Sequence, residues 1–344
     1  MPARFVALVF ALLTGCTLHA GEATTLAVGS CLRQWNEQPV WQGILATRPA
    51  AFVFMGDNVY TDTGFYALMP EPGRIGKAYA ELAANPAFSA FRRQVPVYAT
   101  WDDHDYGRND AGAEYPYRRE SKDYFMQFFA VRDDAPMRAH EGVYSRHRIK
   151  DRGREIDLIL LDTRSFRSPL VTGPTGPDCP RRRLAANRDP AATILGQEQW
   201  RWLESVLKEP AELRVIVSSI QVIPDAHCWE KWANFPAERQ RLLDLLLATG
   251  NTRSLLVSGD RHLAEISRLV PENWPNPLYE LTSSGLNSAG AGEGERNRYR
   301  THPDNVRVDN FATIRVDDAF VQLEIRGVDG AVLQAVTLDP ETWR

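Results

Sequence analysis

The chain has 344 residues, and its 44% hydrophobic and 24% charged content is typical of an ordinary soluble globular protein. Its formal net charge of −4 at pH 7 leaves no electrostatic footprint for nucleic acid. The length suffices for one large core, and no stretch has the composition of an inter-domain linker.

Residues 1–20 are interpreted as an export leader. An apolar run at 5–13 follows Arg4, and it is too short to span a bilayer as a mature helix. Leu13-Thr14-Gly15-Cys16 resembles the bacterial lipobox, in which the cysteine is lipid-modified and becomes the new N-terminus. We therefore predict lipidation of Cys16 and a protein exported to the periplasm that touches the membrane only through this anchor. Ordinary cleavage near Leu18-His19-Ala20, with release of a soluble exported protein, is the alternative.

Residues 21–344 are predicted to form a single α/β domain, because strand-like apolar runs alternate with helical patterns. The predicted strands are 26–28, 51–55, 95–99, 157–161, 213–218, 255–258, 279–282, 311–316, 320–326 and 331–338. The predicted helices are 39–48, 117–130, 196–208 and 236–248. Asp329-Gly330 indicates a hairpin between the last two strands, which makes the sheet mixed.

Two long segments are interpreted as loops. Residues 168–193 are rich in Pro, Gly and Arg, and residues 283–299 are rich in Gly, Ser and Asn. Loops of this length are usually functional or mobile, so we expect them to form walls or a lid over a crevice. The first contains Arg181-Arg182-Arg183, for which a solvated loop is the favoured interpretation and contact with an anionic substrate is the alternative.

Ionisable side chains follow the ends of three predicted strands. Asp102-Asp103-His104-Asp105 comes shortly after strand 95–99, Gly56-Asp57 after strand 51–55, and Gly259-Asp260-Arg261-His262 after strand 255–258. Ligands of open α/β sheets collect beyond the carboxyl ends of strands. Adjacent carboxylates repel one another unless a cation neutralises them. The pattern therefore predicts a metal-binding crevice where these strand ends meet.

The donor atoms of this crevice divide into two kinds. A thiolate, a phenolate and an imidazole, which favour a transition metal and above all Fe³⁺, come from Cys31, Tyr60 and His262. Oxygen donors, which favour Ca²⁺, Mg²⁺ or Mn²⁺, come from Asp103 and Asp260, with Asp102 and Asn109 as supporting candidates. Asp57 lies between the two kinds and is interpreted as a bridge.

Two further residues are candidates for catalysis. His104 adjoins the acidic ligands and is predicted to donate a proton to a leaving alkoxide or to hydrogen-bond phosphoryl oxygens. Arg164 leaves another strand end and is a candidate for bidentate phosphate binding. The alternative for Arg164 is a surface ion pair with Asp162 or another carboxylate.

The cysteine count restricts the pairing. If Cys16 carries lipid, three cysteines remain in an oxidising compartment, and one of them is odd. Cys31 follows a strand and a tight turn, as the other sites do, so we assign it to the metal and pair Cys179 with Cys228. A buried thiol that acts as a small hydrophobic residue is the alternative for Cys31.

Five ordered motifs together resemble the PhoD-like alkaline phosphatase/phosphodiesterase family of the metallophosphatase superfamily. They are Gly29-Ser30-Cys31, Gly56-Asp57-Asn58-Val59-Tyr60, Asp102-Asp103-His104-Asp105, Leu161-Asp162-Thr163-Arg164 and Gly259-Asp260-Arg261-His262. Two more segments resemble that family, Ser218-Ser219-Ile220-Gln221-Val222 and Trp232-Ala233-Asn234-Phe235-Pro236. The resemblance covers most of the chain after the leader. It implies an α/β/β/α sandwich of two mixed sheets flanked by helices, and hydrolysis of phosphate monoesters or diesters.

The resemblance also implies a metal content of iron (Fe³⁺) and calcium (Ca²⁺). Transferred position by position, iron would be held by Cys31, Tyr60 and His262, calcium by Asp103 and Asp260, and both by Asp57, with His104 catalytic. The wider superfamily has Asp-x-His where this chain has Gly-Ser-Cys, which argues against a plain dizinc or dimanganese site. Mn²⁺, Mg²⁺ and Zn²⁺ remain as alternatives.

The expected substrate is a small-molecule, lipid or polymer phosphate ester. Two cations a few ångströms apart are the arrangement used for in-line phosphoryl displacement by an activated hydroxide. A non-catalytic envelope lipoprotein that binds a ligand or partner is the alternative function. A serine hydrolase built on Ser283-Ser284-Gly285 is disfavoured, because no Gly-x-Ser-x-Gly elbow follows a strand.

Overall fold

The computed structural model describes residues 23–180 and 182–343. Its strands are β1 (Thr24–Gly29), β2 (Ala51–Met55), β3 (Val97–Thr100), β4 (Ser145–Asp151), β5 (Arg154–Leu160), β6 (Val171–Thr172), β7 (Leu184–Ala185), β8 (Leu213–Val217), β9 (Leu255–Ser258), β10 (Ala264–Leu269), β11 (Leu278–Ser283), β12 (Asn310–Val316), β13 (Val321–Gly327) and β14 (Val332–Leu338). Its α-helices are α1 (Val40–Ala46), α2 (Gly73–Ala84), α3 (Pro86–Arg92), α4 (Asp103–Tyr106), α5 (Arg118–Phe128), α6 (Gly196–Leu207) and α7 (Pro236–Ala248). Short 3₁₀ helices occur at Gly64–Leu68, Pro136–Ala139 and Trp232–Asn234.

The predicted leader and its lipidation site, Cys16, lie outside the described residues. Within residues 23–180 and 182–343, no helix is long and apolar enough to cross a membrane.

The strands form two six-stranded mixed sheets. The first has the order β14-β13-β12-β1-β2-β3, and the second has the order β10-β11-β9-β8-β5-β4. Strands β1, β2 and β3 run parallel to one another, as do β5, β8, β9 and β11. The remaining strands pair antiparallel at the edges. The predicted α/β fold with mixed sheets is confirmed.

The core lies in three layers, because side chains on a strand alternate between its two faces. On β2, Val53 and Met55 face the second sheet and join the apolar cluster between the sheets. Phe52 and Phe54 point the other way and pack against α1, α2, α3 and α5. On the second sheet, Ile216 packs against α6 and α7 in the same manner. The molecule is thus a helix–sheet–sheet–helix sandwich, as the resemblance implied.

All four predicted helices occur, with ends shifted by a few residues, but α2, α3, β4 and β10 were not predicted. Strand β4 is an edge strand whose residues are mostly half-exposed or exposed and include several charges. Such a strand has no apolar run to indicate it. Helix α2 contains two glycines, which are poor helix formers, so its apolar stripe was overlooked. The predicted loop at 168–193 contains the short hairpin of β6 and β7.

Candidate metal centre

The turns after β1, β2, β3 and β9 bring the predicted ligands to one place between the two sheets. Parallel strands put their carboxyl ends at the same edge of a sheet, and the two sheets pack face to face. Cys31, Asp57 and Asp103 are almost completely buried there, with exposures of 0%, 1% and 3%. The predicted convergence of strand ends is therefore present in the structure.

Two glycines allow this close approach. A Cβ atom at Gly259 would lie 2.4 Å from Ser30 Oγ and 3.1 Å from the carbonyl oxygen of Met55, so the turn after β9 touches the first sheet. A Cβ atom at Gly56 would lie 2.5 Å from Asp102 Cβ, and its φ of 97° is in the left-handed region. Any larger residue at either position would push the strand ends apart.

Four of the six predicted metal ligands adopt a backbone conformation that side chains other than glycine rarely take. The φ angles are 61° at Cys31, 51° at Asp57, 66° at Asp260 and 53° at His262. Such conformations cost about 1–3 kcal/mol each and persist only where the surroundings hold them. Strain of this kind concentrates at functional sites, which agrees with the ligand assignment.

The first group of candidate ligands consists of Cys31, Asp57 and His262, whose donor atoms all lie within 4.8 Å of one another. Cys31 Sγ is 3.3 Å from Asp57 Oδ2. The Tyr60 hydroxyl donates to Asp57 Oδ2 at 3.1 Å and lies 2.8 Å from His262 Nε2. The thiol, carboxylate, phenol and imidazole that were predicted to bind one cation are therefore in mutual contact.

Neighbouring groups orient this cluster. His262 Nδ1 lies 2.6 Å from the carbonyl oxygen of Ser288, which accepts only, so the ring proton is on Nδ1 and the Nε2 lone pair faces the cluster. The hydroxyl of Ser284 accepts from the His262 backbone N–H at 2.8 Å and lies 3.0 Å from Cys31 Sγ. Ser284 thus contacts two candidate ligands through its hydroxyl group.

The second group consists of Asp57, Asp103 and His104, again with donor atoms within 4.8 Å of one another. Asp57 Oδ1 accepts from the His104 backbone N–H at 3.3 Å, while its Oδ2 faces Cys31 and Tyr60. Asp57 therefore belongs to both groups, which is the position required of a bridging ligand.

The third group consists of Asp103, Asp110 and Glu230. Asp103 Oδ2 accepts from the Asp110 backbone N–H at 2.6 Å, which joins this group to the second. Neither Asp110 nor Glu230 was predicted, since neither follows a strand. Glu230 lies two residues before the short 3₁₀ helix at Trp232–Asn234, and only the tertiary fold brings it to the crevice.

Unpaired carboxylate oxygens show that the centre suits a cation. Asp103 Oδ1, Asp102 Oδ2 and Asp260 Oδ2 are buried and have no hydrogen-bond partner in the described part of the chain. Burial raises the pKa of Asp57 well above its ordinary range and that of Asp260 to about 7. Buried anionic oxygens are costly unless a positive charge compensates them. The donor set therefore fits multivalent cations. Asp260 is in none of the three ligand groups of the described residues, although the negative charge of Asp103 adds to the rise in its pKa.

His104 is held between a carboxylate and an aromatic ring. Its Nδ1 lies 2.5 Å from Asp62 Oδ1, and its ring packs on Tyr60 with centroids 4.3 Å apart. Although burial opposes it, the carboxylates of Asp103, Asp57 and Asp62 raise the pKa of His104 well above its ordinary value. Asp62 was missed in the sequence, although it lies only two residues after Tyr60.

Arg164 is completely buried, and its guanidinium group forms ion pairs with two carboxylates. Its Nε donates to Asp102 Oδ1 at 2.5 Å and its Nη1 donates to Glu230 Oε2 at 2.6 Å. Asp162, which was considered as its ion-pair partner, instead accepts the Arg164 backbone N–H. Of the two interpretations of Arg164, the ion pair agrees with these contacts, but the pair is buried and not on the surface.

Asn109 takes a supporting position. Its side chain is exposed, and its amide Nδ2 donates to Asp110 Oδ2 at 2.7 Å. Its backbone N–H donates to Asp62 Oδ2 at 2.6 Å. Asn109 thus orients two acidic residues of the centre and is not itself in a ligand group among the described residues.

The loop at 168–193 is fastened beside the centre. A disulfide joins Cys179 to Cys228, which is the pairing expected from the cysteine count, and Cys31 is a free buried thiol. Arg182, in the basic run, forms an ion pair with Asp110 of the third group. These two links place the loop next to the third ligand group.

Comparison with known proteins agrees with this description. The family model for PhoD-like phosphatase matches residues 26–327. Alkaline phosphatase D of Bacillus subtilis (strain 168) is 22% identical over 244 residues, which are 63% of this chain and 40% of that protein. The chain thus spans less than half of the length of that relative.

Solved structures show the same fold. A structure of PhoD superimposes with a TM-score of 0.73 at 17% identity, covering 94% of this chain and 71% of that one. GAP50 of Plasmodium, described as the anchor in the inner membrane complex, superimposes with a TM-score of 0.57 at 11% identity, covering 92% and 89%. On the family match, which extends over most of the sequence, the chain belongs to the PhoD-like phosphatase family.

Proposed function

We propose that this protein hydrolyses phosphate esters, as a phosphomonoesterase or phosphodiesterase, at a multinuclear metal centre. The observation that carries the proposal is the chain of three ligand groups, joined through the shared carboxylates of Asp57 and Asp103. Membership of the PhoD-like phosphatase family and the likeness to an alkaline phosphatase support the same chemistry.

The donor atoms suggest which cations the centre holds. Iron (Fe³⁺) suits the thiol, phenol and imidazole of the first group, and calcium (Ca²⁺) suits the carboxylates of Asp103 and Asp260. Asp110 and Glu230 add two oxygen donors to the calcium side. When bound, such cations activate water as a nucleophile and stabilise the charged phosphoryl oxygens. Mn²⁺, Mg²⁺ and Zn²⁺ are the alternatives that elemental analysis would detect.

His104 is the residue of this chain that we propose to transfer a proton. Asp62 holds its Nδ1, so the ring is oriented and its Nε2 carries the proton to the leaving alkoxide. Arg164 acts differently, since its guanidinium is occupied by Asp102 and Glu230. It is a positioning residue that holds the acidic turn after β3 and the Glu230 carboxylate at fixed places.

The proposal is tested by assaying an aryl phosphate and a bis-aryl phosphate side by side. We expect hydrolysis of at least one ester, its loss on treatment with a chelator, and its recovery when iron and calcium are returned. The ratio of the two rates measures the preference for monoesters or diesters. Inertness towards both esters after metal reconstitution would support the alternative function, a non-catalytic lipoprotein.

We further propose that the protein is exported and anchored by lipid at Cys16. The lipobox-like Leu13-Thr14-Gly15-Cys16 supports this location, and so does the disulfide between Cys179 and Cys228, since disulfides persist in oxidising compartments. Expressed in a bacterium, the wild-type protein should fractionate with membranes, and Cys16→Ser should not yield a lipidated N-terminus. Equal, unlipidated N-terminal masses for both proteins would contradict the anchor.

A further inference from the structure

A cavity of about 580 Å³ lies beside the third ligand group. It is lined by the disulfide loop (177–180 and Arg182), by 226–229 and by 292–296, so both long loops contribute to it. Its volume falls within the range of roughly 300–1,000 Å³ that is usual for ligand pockets. Arg182 forms an ion pair with Asp110, and Glu230 directly follows the lining residue Trp229. A group bound in the cavity would therefore lie next to residues of the third ligand group.

His227 lines this cavity and has a side-chain nitrogen without a hydrogen-bond partner among the described residues. The residue is only 6% exposed, and its Nε2 has no partner in the described portions of the chain. The backbone N–H of Trp229 donates to His227 Nδ1 at 3.3 Å, so a neutral ring carries its proton on Nε2. Burial lowers the pKa of His227 well below its ordinary value, and the positive charges of Arg261 and Lys231 act in the same direction. The ring is thus neutral, and its Nε2–H is a donor in need of an acceptor.

Trp229 supplies an aromatic surface in the same cavity. The side chain is 42% exposed, although it lies next to the buried Glu230. The guanidinium of Arg261 lies over the indole, 5.7 Å from the ring centroid, and is itself paired with Glu295. An open tryptophan that is held in place beside a reaction centre is a platform on which a planar ring can stack.

We propose that this cavity binds the base of a nucleoside phosphate whose phosphate group lies at the metal centre. Trp229 stacks on the base, and His227 Nε2–H donates to a ring nitrogen or carbonyl oxygen of the base. An alcohol without a planar ring leaves Trp229 uncovered, and a simple phenyl ester leaves the His227 donor unpaired. This inference rests on the proposed function, since it assigns a substrate class to the same centre.

The test compares two monoesters on the metal-loaded enzyme, adenosine 5′-monophosphate and ribose 5-phosphate, which differ by the base. For Trp229→Ala we expect kcat/KM for the nucleotide to fall by about 5- to 150-fold, the usual worth of a stacked base, with ribose 5-phosphate unaffected. For His227→Phe we expect a smaller loss of about 2- to 12-fold on the nucleotide alone.

The matched control is Phe65→Ala, which removes an aromatic side chain that is 64% exposed and lines a different cavity. This variant should hydrolyse both esters with the kcat/KM of the wild type. The inference is overturned if Trp229→Ala lowers kcat/KM for both esters equally, or for neither.

A binding experiment separates failure of this inference from failure of the proposed function. If the metal-loaded protein hydrolyses neither ester, calorimetric titration with adenosine tests the base site without any chemistry. Adenosine binding to the wild type that Trp229→Ala abolishes supports the site, and equal or absent binding in both proteins refutes it.

Discussion

At the scale of single residues, replacement of His104 allows the proposed proton transfer to be tested separately from metal binding. The imidazole is oriented by Asp62 and stacked on Tyr60, and both neighbours are fixed by the turn after β2. Although burial opposes it, the surrounding carboxylates of Asp103, Asp57 and Asp62 raise its pKa. These contacts favour a general acid over a structural histidine.

Replacement of this residue should affect chemistry alone. For His104→Ala we predict that kcat falls by about 10²–10⁴-fold, the range for general acid catalysis, while the metal content stays at the wild-type level. Steady-state kinetics together with elemental analysis of the same preparation would measure both. Unchanged kcat would remove His104 from the mechanism, and loss of metal would make it a ligand.

Most of the candidate ligands could be predicted from local sequence patterns. Asp57, Asp103 and His262 each follow a buried strand closely, so a local pattern revealed them. Asp110 and Glu230 come from loops, and their places depend on contacts such as the Arg164–Glu230 pair that no local pattern encodes. The ion-pair partners of Arg164 could not be predicted for the same reason. The sequence suggested Asp162, whereas the structure pairs Arg164 with Asp102 and Glu230.

At the scale of elements, the turn after β9 determines how closely the two sheets approach at the metal centre. Gly259 touches both Ser30, which directly follows β1, and the backbone of Met55 at the end of β2. The Met55 carbonyl is part of a buried strand and cannot move aside, unlike the end of a flexible side chain. The contact therefore links one element of the second sheet to two of the first.

A single methyl group should disturb this contact. For Gly259→Ala we predict a loss of about 1–3 kcal/mol in the free energy of unfolding, from overpacking, together with weaker metal binding. Gly73→Ala is the matched control, because a Cβ atom at Gly73 meets nothing within 4 Å. Urea denaturation of the two variants measures the difference, and equal stability would show that the sheets adjust without cost.

The two longer strands that were not predicted, β4 and β10, lie at the edges of the second sheet. Strand β4 is charged along much of its length and is held by pairing with β5 and by ion pairs such as Arg146 with Asp157. Strand β10 is another edge strand, which pairs with β11 from Ala264 to Leu269. Both contain charged residues and lack a continuous apolar run, whereas α6 and α7 have their own apolar stripes.

At the scale of the whole molecule, the two sheets also meet along their open edges. Tyr98 on β3 packs against His147 on β4, with ring centroids 4.5 Å apart. The His147 ring is largely enclosed, and burial lowers its pKa to about 4. The imidazole at this contact is therefore neutral near pH 7, and its protonation at low pH would weaken the packing of the two sheets.

The sign of the effect follows from proton linkage. In the unfolded chain the His147 pKa is at its ordinary value near 6.5, so between that pH and about 4 the unfolded state binds more protons. The contribution of His147 to the free energy of unfolding should fall by about 2 kcal/mol between roughly pH 7 and pH 5. For His147→Gln we predict a flatter pH profile by this amount in denaturation experiments. Parallel profiles for the two proteins would contradict an uncharged, buried His147.

Asp57 belongs to two ligand groups and is the carboxylate proposed to connect their cations. The most direct test is the metal content of purified Asp57→Ala beside the wild type, measured by elemental analysis with phosphate-ester hydrolysis followed in parallel. We predict iron and calcium in the wild type, and loss of both metals and of hydrolysis in the variant. Wild-type metal content or retained turnover in Asp57→Ala would contradict a centre in which this carboxylate bridges the cations.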